Sequence, residues 1–240
     1  MTTKNNMDLY EELVHGKGYA VFSIENMQIL EKLRNSFIDR TNISNGSEKN
    51  INMIRKAMLK MSLAELNRLR INDITHTNVS NMIVNSCPSL IEKLCGKELF
   101  IQRRAHLVFN VPGKEQQRIW NHYELISGIS PFSYVIWTPL HDLEDDGGVY
   151  IIDQEESLEV MKKEEASGLV NGPTALNMEQ YQKPYQIKFG QAVIFNPFVL
   201  HGNVSFNSKL ARIGCSVRIQ SYNKPLLQKN SDYLKYYRLT

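Results

Sequence analysis

The chain has 240 residues, of which 42% are hydrophobic and 22% charged, and these values are typical of a soluble globular protein. Its 28 Lys and Arg residues against 25 Asp and Glu residues leave a net charge of +3. This excess is too small for the basic stripe of a nucleic-acid-binding domain. The first ten residues contain no apolar signal core, and no apolar run approaches the roughly 20 residues of a membrane span. We therefore expect neither a nucleic-acid nor a membrane partner.

The three cysteines are Cys87, Cys95 and Cys215. So sparse and odd-numbered a set argues against a disulfide framework. No two of them form a C-x-x-C pair, which argues against a zinc site built on thiolates. We expect free thiols in a reducing compartment, and hence a cytoplasmic protein.

The hydrophobic pattern of the first hundred residues predicts mainly helices. A helix is predicted over 25–39, where apolar residues recur at helical spacing at Met27, Leu30, Leu33 and Phe37. The same spacing predicts a helix over 51–69, and residues 80–94 predict one or two short helices that break near Pro88. The polar segment 41–50 is predicted to be a mobile loop.

Short strands are predicted to dominate the second part of the chain. Segments rich in Val, Ile, Phe and Tyr, bounded by Gly, Pro or Asn, predict strands over 99–111, 131–140, 147–153, 185–189, 192–195 and 211–220. The tail, 232–237, is predicted as a short helix. Strands that follow a helical section indicate an α+β fold, with a β-barrel or sandwich and helices packed outside it. We expect one domain, with a mainly helical flank (1–98), a barrel core (99–222) and a C-terminal tail (223–240).

An H-x-E pair, His122 and Glu124, provides the first candidate metal ligands. On an extended strand, residues two apart point to the same face, so an imidazole and a carboxylate would converge on one ion. His201, which follows an apolar strand and precedes Gly202, is the candidate third ligand. Two histidines and one carboxylate leave coordination positions open, as in the facial triad of iron(II) oxygenases.

Each of these residues also has an ordinary structural explanation. His122 could be a hydrogen-bonded core or surface histidine, and His201 could cap a strand end. The metal hypothesis depends on their order along the chain and on Arg212, which follows His201. A dicarboxylate cosubstrate needs a cation for its far carboxylate, and a guanidinium offers a bidentate fork. Arg212 shares strand parity with Ser216 and Arg218, so one of the two arginines could be purely structural or lie on a polar outer face.

Short motifs run in order through about half of the chain: His122-Tyr123-Glu124, Gly128-Ile129-Ser130-Pro131-Phe132, Trp137-Thr138-Pro139-Leu140, Gly147-Gly148-Val149-Tyr150-Ile151-Ile152, Gly190-Gln191-Ala192-Val193-Ile194-Phe195, His201-Gly202-Asn203, Asn207, and 212–218. This ordered set resembles the phytanoyl-CoA hydroxylase-like family of 2-oxoglutarate oxygenases. More narrowly, it is similar to bacterial members found beside carbohydrate-biosynthesis genes.

The resemblance implies a double-stranded β-helix core, the jelly-roll or cupin-like type of barrel. It implies iron ligation by His122, Glu124 and His201, which are then the catalytic centre. It also implies that Arg212 forms the salt bridge to 2-oxoglutarate, and we assign Asn110 and Ser216 to the same cosubstrate. The family usually has H-x-D, whereas Glu124 is one methylene longer and can still reach a metal ion.

Further candidates surround this set. Residues of one parity in the strand over 99–110 face either the barrel mouth or solvent, namely Gln102, Arg104, His106 and Asn110. With Trp137, the first three are our candidate substrate-binding residues. Tyr134 and Phe195 could also wall a pocket, although aromatic strand residues usually belong to the core. The acidic segment 141–146, which begins at His141, is a rival metal cluster that we interpret as a turn.

The resulting expectation is an Fe(II)- and 2-oxoglutarate-dependent dioxygenase that uses O₂ to hydroxylate a small molecule, such as a sugar, a sugar nucleotide or a related metabolite. The alternative is a non-catalytic, cupin-like protein that binds a metal or a small molecule or acts as a sensor, because fold alone does not decide function. Arg212 beside a complete triad favours the enzyme, since a binder needs no cosubstrate anchor.

Overall fold

The computed structural model describes residues 6–41, 50–76, 78–112, 121–122, 130–143, 149–166, 185–203, 209–225 and 233–239, with the backbone alone for 6–8, 71–76, 121–122 and 164–166. Within these ranges the chain forms seven helices: α1 (Asn6–Val14), α2 (Met27–Arg40), α3 (Ile51–Met58), α4 (Leu63–His76), α5 (Val79–Ser86), α6 (Pro88–Cys95) and α7 (Gln154–Ala166). None of the described helices combines the length and the apolar character that a membrane crossing requires.

The helix predicted over 51–69 is two helices, because a capping box begins α4. The Ser62 hydroxyl accepts a hydrogen bond from the Glu65 backbone N–H, and the Glu65 carboxylate accepts one from the Ser62 backbone N–H at 2.7 Å. The break at Pro88 is confirmed, since this proline lies in the first turn of α6, where its missing N–H costs nothing. The predicted loop over 41–50 lies, apart from its two ends, outside the described residues.

Ten strands are described: β1 (Tyr19–Ser23), β2 (Glu98–Gln102), β3 (His106–Asn110), β4 (Asn121–His122), β5 (Ser133–Pro139), β6 (Val149–Ile151), β7 (Gln191–Phe195), β8 (His201–Asn203), β9 (Arg212–Ser221) and β10 (Leu234–Arg238). Seven of them form a sheet in the order β1-β7-β5-β9-β2-β10, with β3 also paired to β9. The other three form a smaller sheet in the order β4-β8-β6. All of these pairings are antiparallel.

The larger sheet has one face toward the helices and one toward the smaller sheet. Along β9, one set of alternate residues joins the hydrophobic core with Leu30, Leu33 and Phe37 of α2; this set is Ile213, Cys215, Val217 and Ile219. The other set is buried as well, but it is polar or small: Arg212, Gly214, Ser216, Arg218 and Gln220. Because successive strand residues alternate between faces, the polar set lies on the side away from the helices.

Two strand predictions and one helix prediction need correction. The strand expected over 99–111 is interrupted: four residues, 102–105, lie opposite two residues of β9, 217–218, so β2 and β3 flank a bulge. The segment 185–189 is not a strand, since only Tyr185 makes a bridge, to Val149. The tail helix expected over 232–237 is wrong. Residues 234–237 belong to β10, because Leu234 is buried and the backbone pairs with the edge of β2.

The broad expectation of a strand-rich section with helices packed outside it is confirmed, and the structure shows that these strands pair in antiparallel fashion. The sheet is less contiguous in sequence than expected, however. β1 comes from the segment predicted to be a helical flank, and β10 from the predicted tail. Both add edge positions to the larger sheet, so it draws on all three predicted sections of the chain.

Candidate active site

A cavity of about 150 Å³ lies between the two sheets. The larger sheet contributes His106, Val108, Val135, Trp137, Val193, Phe195, Ser216 and Arg218, and the smaller sheet contributes Val149, Ile151, His201, Gly202 and Asn203. Most of this wall is apolar, with a few convergent polar groups, as in binding sites for small molecules. The cavity is therefore the candidate active site.

His201 begins β8 and reaches this cavity. Its Nδ1 lies 3.0 Å from the Val199 carbonyl oxygen, to which an Nδ1–H would donate. With the proton on Nδ1, the lone pair is on Nε2, and this is the usual arrangement of a metal-ligating histidine. The Phe195 ring packs against the imidazole with a centroid separation of 4.4 Å. The ring orientation of His201 is thus set from two sides.

The backbone register brings the two predicted histidines together. β4 and β8 are antiparallel neighbours in which His122 is the Cα partner of His201. Residues directly opposite in such a pair have Cβ atoms about 4.5–5.5 Å apart. Glu124 lies outside the described residues. Within the described ranges, no three His, Cys, Asp or Glu side chains gather as a metal site.

Arg212 lies at the start of β9, and its side chain is 1% exposed. Its guanidinium donates a hydrogen bond to the Asn203 side-chain oxygen and lies 5.9 Å from the Trp137 ring centroid. Burial lowers the pKa of Arg212 to about 10, so it remains a cation at neutral pH. Asn110, also buried, is its direct partner across the β3–β9 register. The structure thus brings together two of the three predicted cosubstrate residues.

Two buried side chains fix the backbone on either side of Arg212. Arg55 of α3 donates from Nε to the Ala211 carbonyl oxygen at 2.8 Å. The Ile213 backbone N–H donates to Nε2 of His141 at 3.0 Å, and Nδ1 of His141 lies 2.7 Å from the Asp142 carbonyl oxygen. Both ring nitrogens of His141 are therefore engaged in holding the chain. This arrangement gives it a structural role in place of membership in a metal cluster.

The Trp137 indole lies against β9 at position 214, where glycine leaves room for it. A Cβ at Gly214 would come within 2.6 Å of Cζ2 of the indole. Trp137 pairs with Ser216 in the register, and both line the cavity. The absence of a side chain at position 214 thus leaves room for the indole, whose ring centroid lies 5.9 Å from the Arg212 guanidinium carbon. Phe195 also lines the cavity, whereas Tyr134 packs on the helix side of the sheet.

The bulge between β2 and β3 separates the predicted substrate residues. Gln102 is fully buried and is not among the residues that line the cavity, and its Oε1 accepts a hydrogen bond from the Arg218 backbone N–H at 3.1 Å. Its Nε2 donates to the Arg104 carbonyl oxygen at 2.6 Å. The Arg104 side chain is exposed and is not part of the cavity wall, whereas His106 is. The extra residues of the bulge account for this, since they turn Arg104 outward.

Two polar residues of the wall were not among the predicted site residues. Asn203 contacts Arg212, and only its place two residues after His201, on the same face of the strand, could have indicated it. Arg218 was noted only for its parity with Arg212. Its burial in the cavity wall, at 7% exposure, depends on the neighbouring strands, which local sequence does not specify.

Comparison with known proteins identifies the fold. The sequence matches no protein-family model and shows no significant match to a curated protein. Among solved structures, ThoJ, a non-haem monooxygenase in complex with nickel, is 12% identical over 97% of this chain and 84% of its own, with a TM-score of 0.55. HygX from Streptomyces hygroscopicus, with nickel and 2-oxoglutarate bound, is 9% identical over 92% of this chain and 89% of its own, with a TM-score of 0.53.

A third structure extends the comparison to another reaction. SnoN, a non-haem α-ketoglutarate-dependent epimerase from nogalamycin biosynthesis, is 12% identical over 90% of this chain and 83% of its own, with a TM-score of 0.52. At such identities the likeness establishes a shared fold. The chain thus has the fold of a group that includes non-haem, 2-oxoglutarate-dependent enzymes.

Proposed function

We propose that this protein is an Fe(II)- and 2-oxoglutarate-dependent oxygenase that hydroxylates a small molecule within a jelly-roll core. The observation that carries the proposal is the register of β4 and β8, in which His122 is opposite His201 beside the cavity. The ligands would be these two histidines and Glu124, whose carboxylate follows His122 by two positions. This donor set, two imidazoles and one carboxylate, fits Fe(II) and leaves positions open.

The buried cation at the start of β9 supports the cosubstrate assignment. Arg212 is at the Asn203 end of β8, so a dicarboxylate bound near His201 would extend along this strand toward the guanidinium. Arginine matches a carboxylate bidentately, which makes it a better anchor than a lysine would be. Asn110 and Ser216 would flank the same cosubstrate from β3 and β9.

When bound, iron and 2-oxoglutarate supply oxygen activation: 2-oxoglutarate and O₂ yield succinate and CO₂, and one oxygen atom enters a C–H bond of the substrate. The protein chain binds and orients the cosubstrate and substrate and excludes water from the site. His201 is held in one tautomer by Val199, and Arg212 fixes the far end of the cosubstrate. The apolar residues Val135, Val193 and Phe195 exclude water from the reacting centre. A mostly apolar wall with a few polar groups suits a small substrate, such as a sugar or a related metabolite.

The test is turnover of 2-oxoglutarate to succinate, together with the iron content of each protein. The wild type should convert 2-oxoglutarate slowly even without substrate, and His122→Ala and His201→Ala should lose both iron and turnover. His15→Ala is the matched control, because His15 is exposed and outside the cavity wall. Normal iron content and turnover in either site variant would overturn the ligand assignment. Iron binding without any turnover in the wild type would favour a non-catalytic binder.

A further inference from the structure

Two tyrosines, Tyr19 and Tyr185, lie in direct contact beside the candidate site. Their rings meet edge to face with a centroid separation of 5.5 Å, and their hydroxyl groups are hydrogen-bonded to each other. Tyr19 is 6% exposed, whereas Tyr185 is half-buried. Tyr19 lies on β1, an edge strand of the larger sheet, and Tyr185 makes a bridge to Val149 of β6, an edge strand of the smaller sheet. The pair therefore connects the edges of the two sheets.

A continuous series of aromatic contacts leads from this pair to His201. The Phe195 ring packs on the His201 imidazole with a centroid separation of 4.4 Å. Tyr19 is the Cα partner of Phe195 in the β1–β7 register, so their Cβ atoms lie about 4.5–5.5 Å apart on one face of the sheet. Both residues belong to one hydrophobic cluster, against which Tyr185 packs. The series thus runs from the proposed metal ligand, through Phe195 and Tyr19, to a tyrosine that is in contact with solvent.

Asp153 provides the pair with a proton acceptor. It follows the cavity residue Ile151 by two positions, and its side chain is exposed. Burial, followed by the hydrogen bond with Tyr185 and the negative charge of Asp153, raises the pKa of Tyr19. Tyr19 is therefore protonated at neutral pH, and its phenol loses an electron readily only if its proton leaves as well. The Asp153 carboxylate can take up that proton and release it to water.

We propose that Tyr19 and Tyr185 form a protective oxidation site, which is oxidised and cross-linked when 2-oxoglutarate and O₂ are consumed in the absence of a substrate. This inference rests on the proposed function, which supplies the oxidant. Each phenol loses one electron and one proton, and a carbon–carbon bond forms between the two rings. The two electrons and two protons reduce to water the oxygen atom that would otherwise enter a C–H bond of the substrate. For each cross-link, one 2-oxoglutarate and one O₂ thus yield succinate, CO₂ and water, and Phe195 in the cavity wall is spared.

A second tyrosine pair in the same chain serves as the control. Tyr222 and Tyr236 have the same ring separation, 5.5 Å, and an interplanar angle of 80°, against 83° for Tyr19 and Tyr185. Both are exposed, and neither lines the cavity. The two pairs therefore differ mainly in their connection to His201 and in their access to solvent.

The experiment is aerobic incubation of the protein with Fe(II) and 2-oxoglutarate but no substrate, with catalase to remove hydrogen peroxide, followed by mass spectrometry of its peptides. A cross-link that lacks two hydrogen atoms should join Tyr19 to Tyr185 in proportion to the succinate formed, and none should join Tyr222 to Tyr236. In the metal-free protein, illumination with a ruthenium–bipyridyl complex and persulfate, which oxidise accessible tyrosines, should instead favour the pair of Tyr222 and Tyr236.

Tyr19→Phe and Tyr185→Phe test whether the pair protects the site. Each variant keeps the ring and lacks one hydroxyl, so it should form no cross-link. Each should stop after making fewer succinate molecules per protein than the wild type, by about twofold or more, and its Phe195 should be oxidised instead. Tyr236→Phe, which changes the control pair, should behave as the wild type does.

Several results would overturn the inference. Succinate formation without the Tyr19–Tyr185 cross-link would do so and leave the proposed function intact, whereas the absence of succinate would contradict both. Equal cross-linking of the two pairs by 2-oxoglutarate and O₂ would also overturn it, because it would indicate an oxidant that diffuses through solution. So would a Tyr185→Phe protein that makes as much succinate as the wild type before it stops. If Tyr19→Phe fails to fold, the wild-type cross-links and Tyr185→Phe still decide the question.

Discussion

The buried imidazole of His141 should make the stability of the fold depend on pH. His141 is 4% exposed, and burial, together with the positive charge of Arg55, lowers its pKa from 6.5 to about 4. Arg212 also lowers this pKa, whereas the backbone and side chain of Asp142 raise it. The folded state therefore holds the neutral ring, which accepts the hydrogen bond from the Ile213 N–H.

The direction and size of the effect follow from linkage. Because the pKa is lower in the folded state, the unfolded chain takes up the proton more readily as the pH falls below 6.5. The stability that the neutral His141 contributes is present above pH 6.5 and is lost progressively as the pH falls toward 4. Each pKa unit corresponds to about 1.4 kcal/mol. The titration of His141 should therefore lower the free energy of unfolding by about 2.5 kcal/mol between pH 7.5 and pH 4.5.

Urea unfolding of the wild type and of His141→Gln at these two pH values measures this quantity. Glutamine can still accept the bond from Ile213, but it does not titrate. The wild type should lose about 2.5 kcal/mol more than the variant on acidification, and carboxylates that titrate in both proteins cancel in the comparison. Equal losses of stability in the two proteins would refute the reasoning, because they would mean that the protonation of His141 is not coupled to unfolding.

Three further predictions concern packing, capping and the proposed carboxylate ligand. Gly214→Ala should lower the free energy of unfolding in urea by about 1–3 kcal/mol, because the new Cβ meets the Trp137 indole; an unchanged midpoint would contradict this. Ser62→Ala should lower the free energy of unfolding by about 1 kcal/mol in the same assay, because the capping box with Glu65 is lost. An unchanged free energy of unfolding would show that this cap is not the cause of the break before α4. Glu124→Gln should lower the iron content and the turnover of 2-oxoglutarate, whereas Glu124→Asp should retain measurable activity; full activity in Glu124→Gln would exclude the carboxylate as a ligand.

The sequence predicted those features that depend on local patterns. The apolar spacing of Leu30, Leu33 and Phe37 sufficed for α2, because a helix that buries one face needs only that spacing. Pro88 likewise marked a helix boundary. The β10 strand was mistaken for a helix, because Leu234 and the residues after it become a strand only through pairing with β2, which lies far away in sequence. Local propensity cannot report such a partner.

The residues of the candidate site were likewise predicted only in part. His201, His106, Trp137 and Ser216 were predicted and line the cavity. Arg104 was expected beside them on strand parity, but residues 103–105 leave the strand conformation, so the alternation of faces does not apply to Arg104. The opposing positions of His122 and His201 follow from a pairing between strands far apart in sequence. The residue types alone suggest such a pairing, but the register that produces it depends on how the whole chain folds.

The central claim is that His201 takes part in a metal centre whose cosubstrate reaches Arg212. The most direct test is to add Fe(II) and 2-oxoglutarate to the protein without oxygen and to record its visible absorption spectrum. The wild type should develop an absorption band that neither addition gives alone, His201→Ala should not, and Arg212→Gln should need far more 2-oxoglutarate to reach the same intensity. A wild type without the band, or a His201→Ala protein that develops it in full, would contradict the claim.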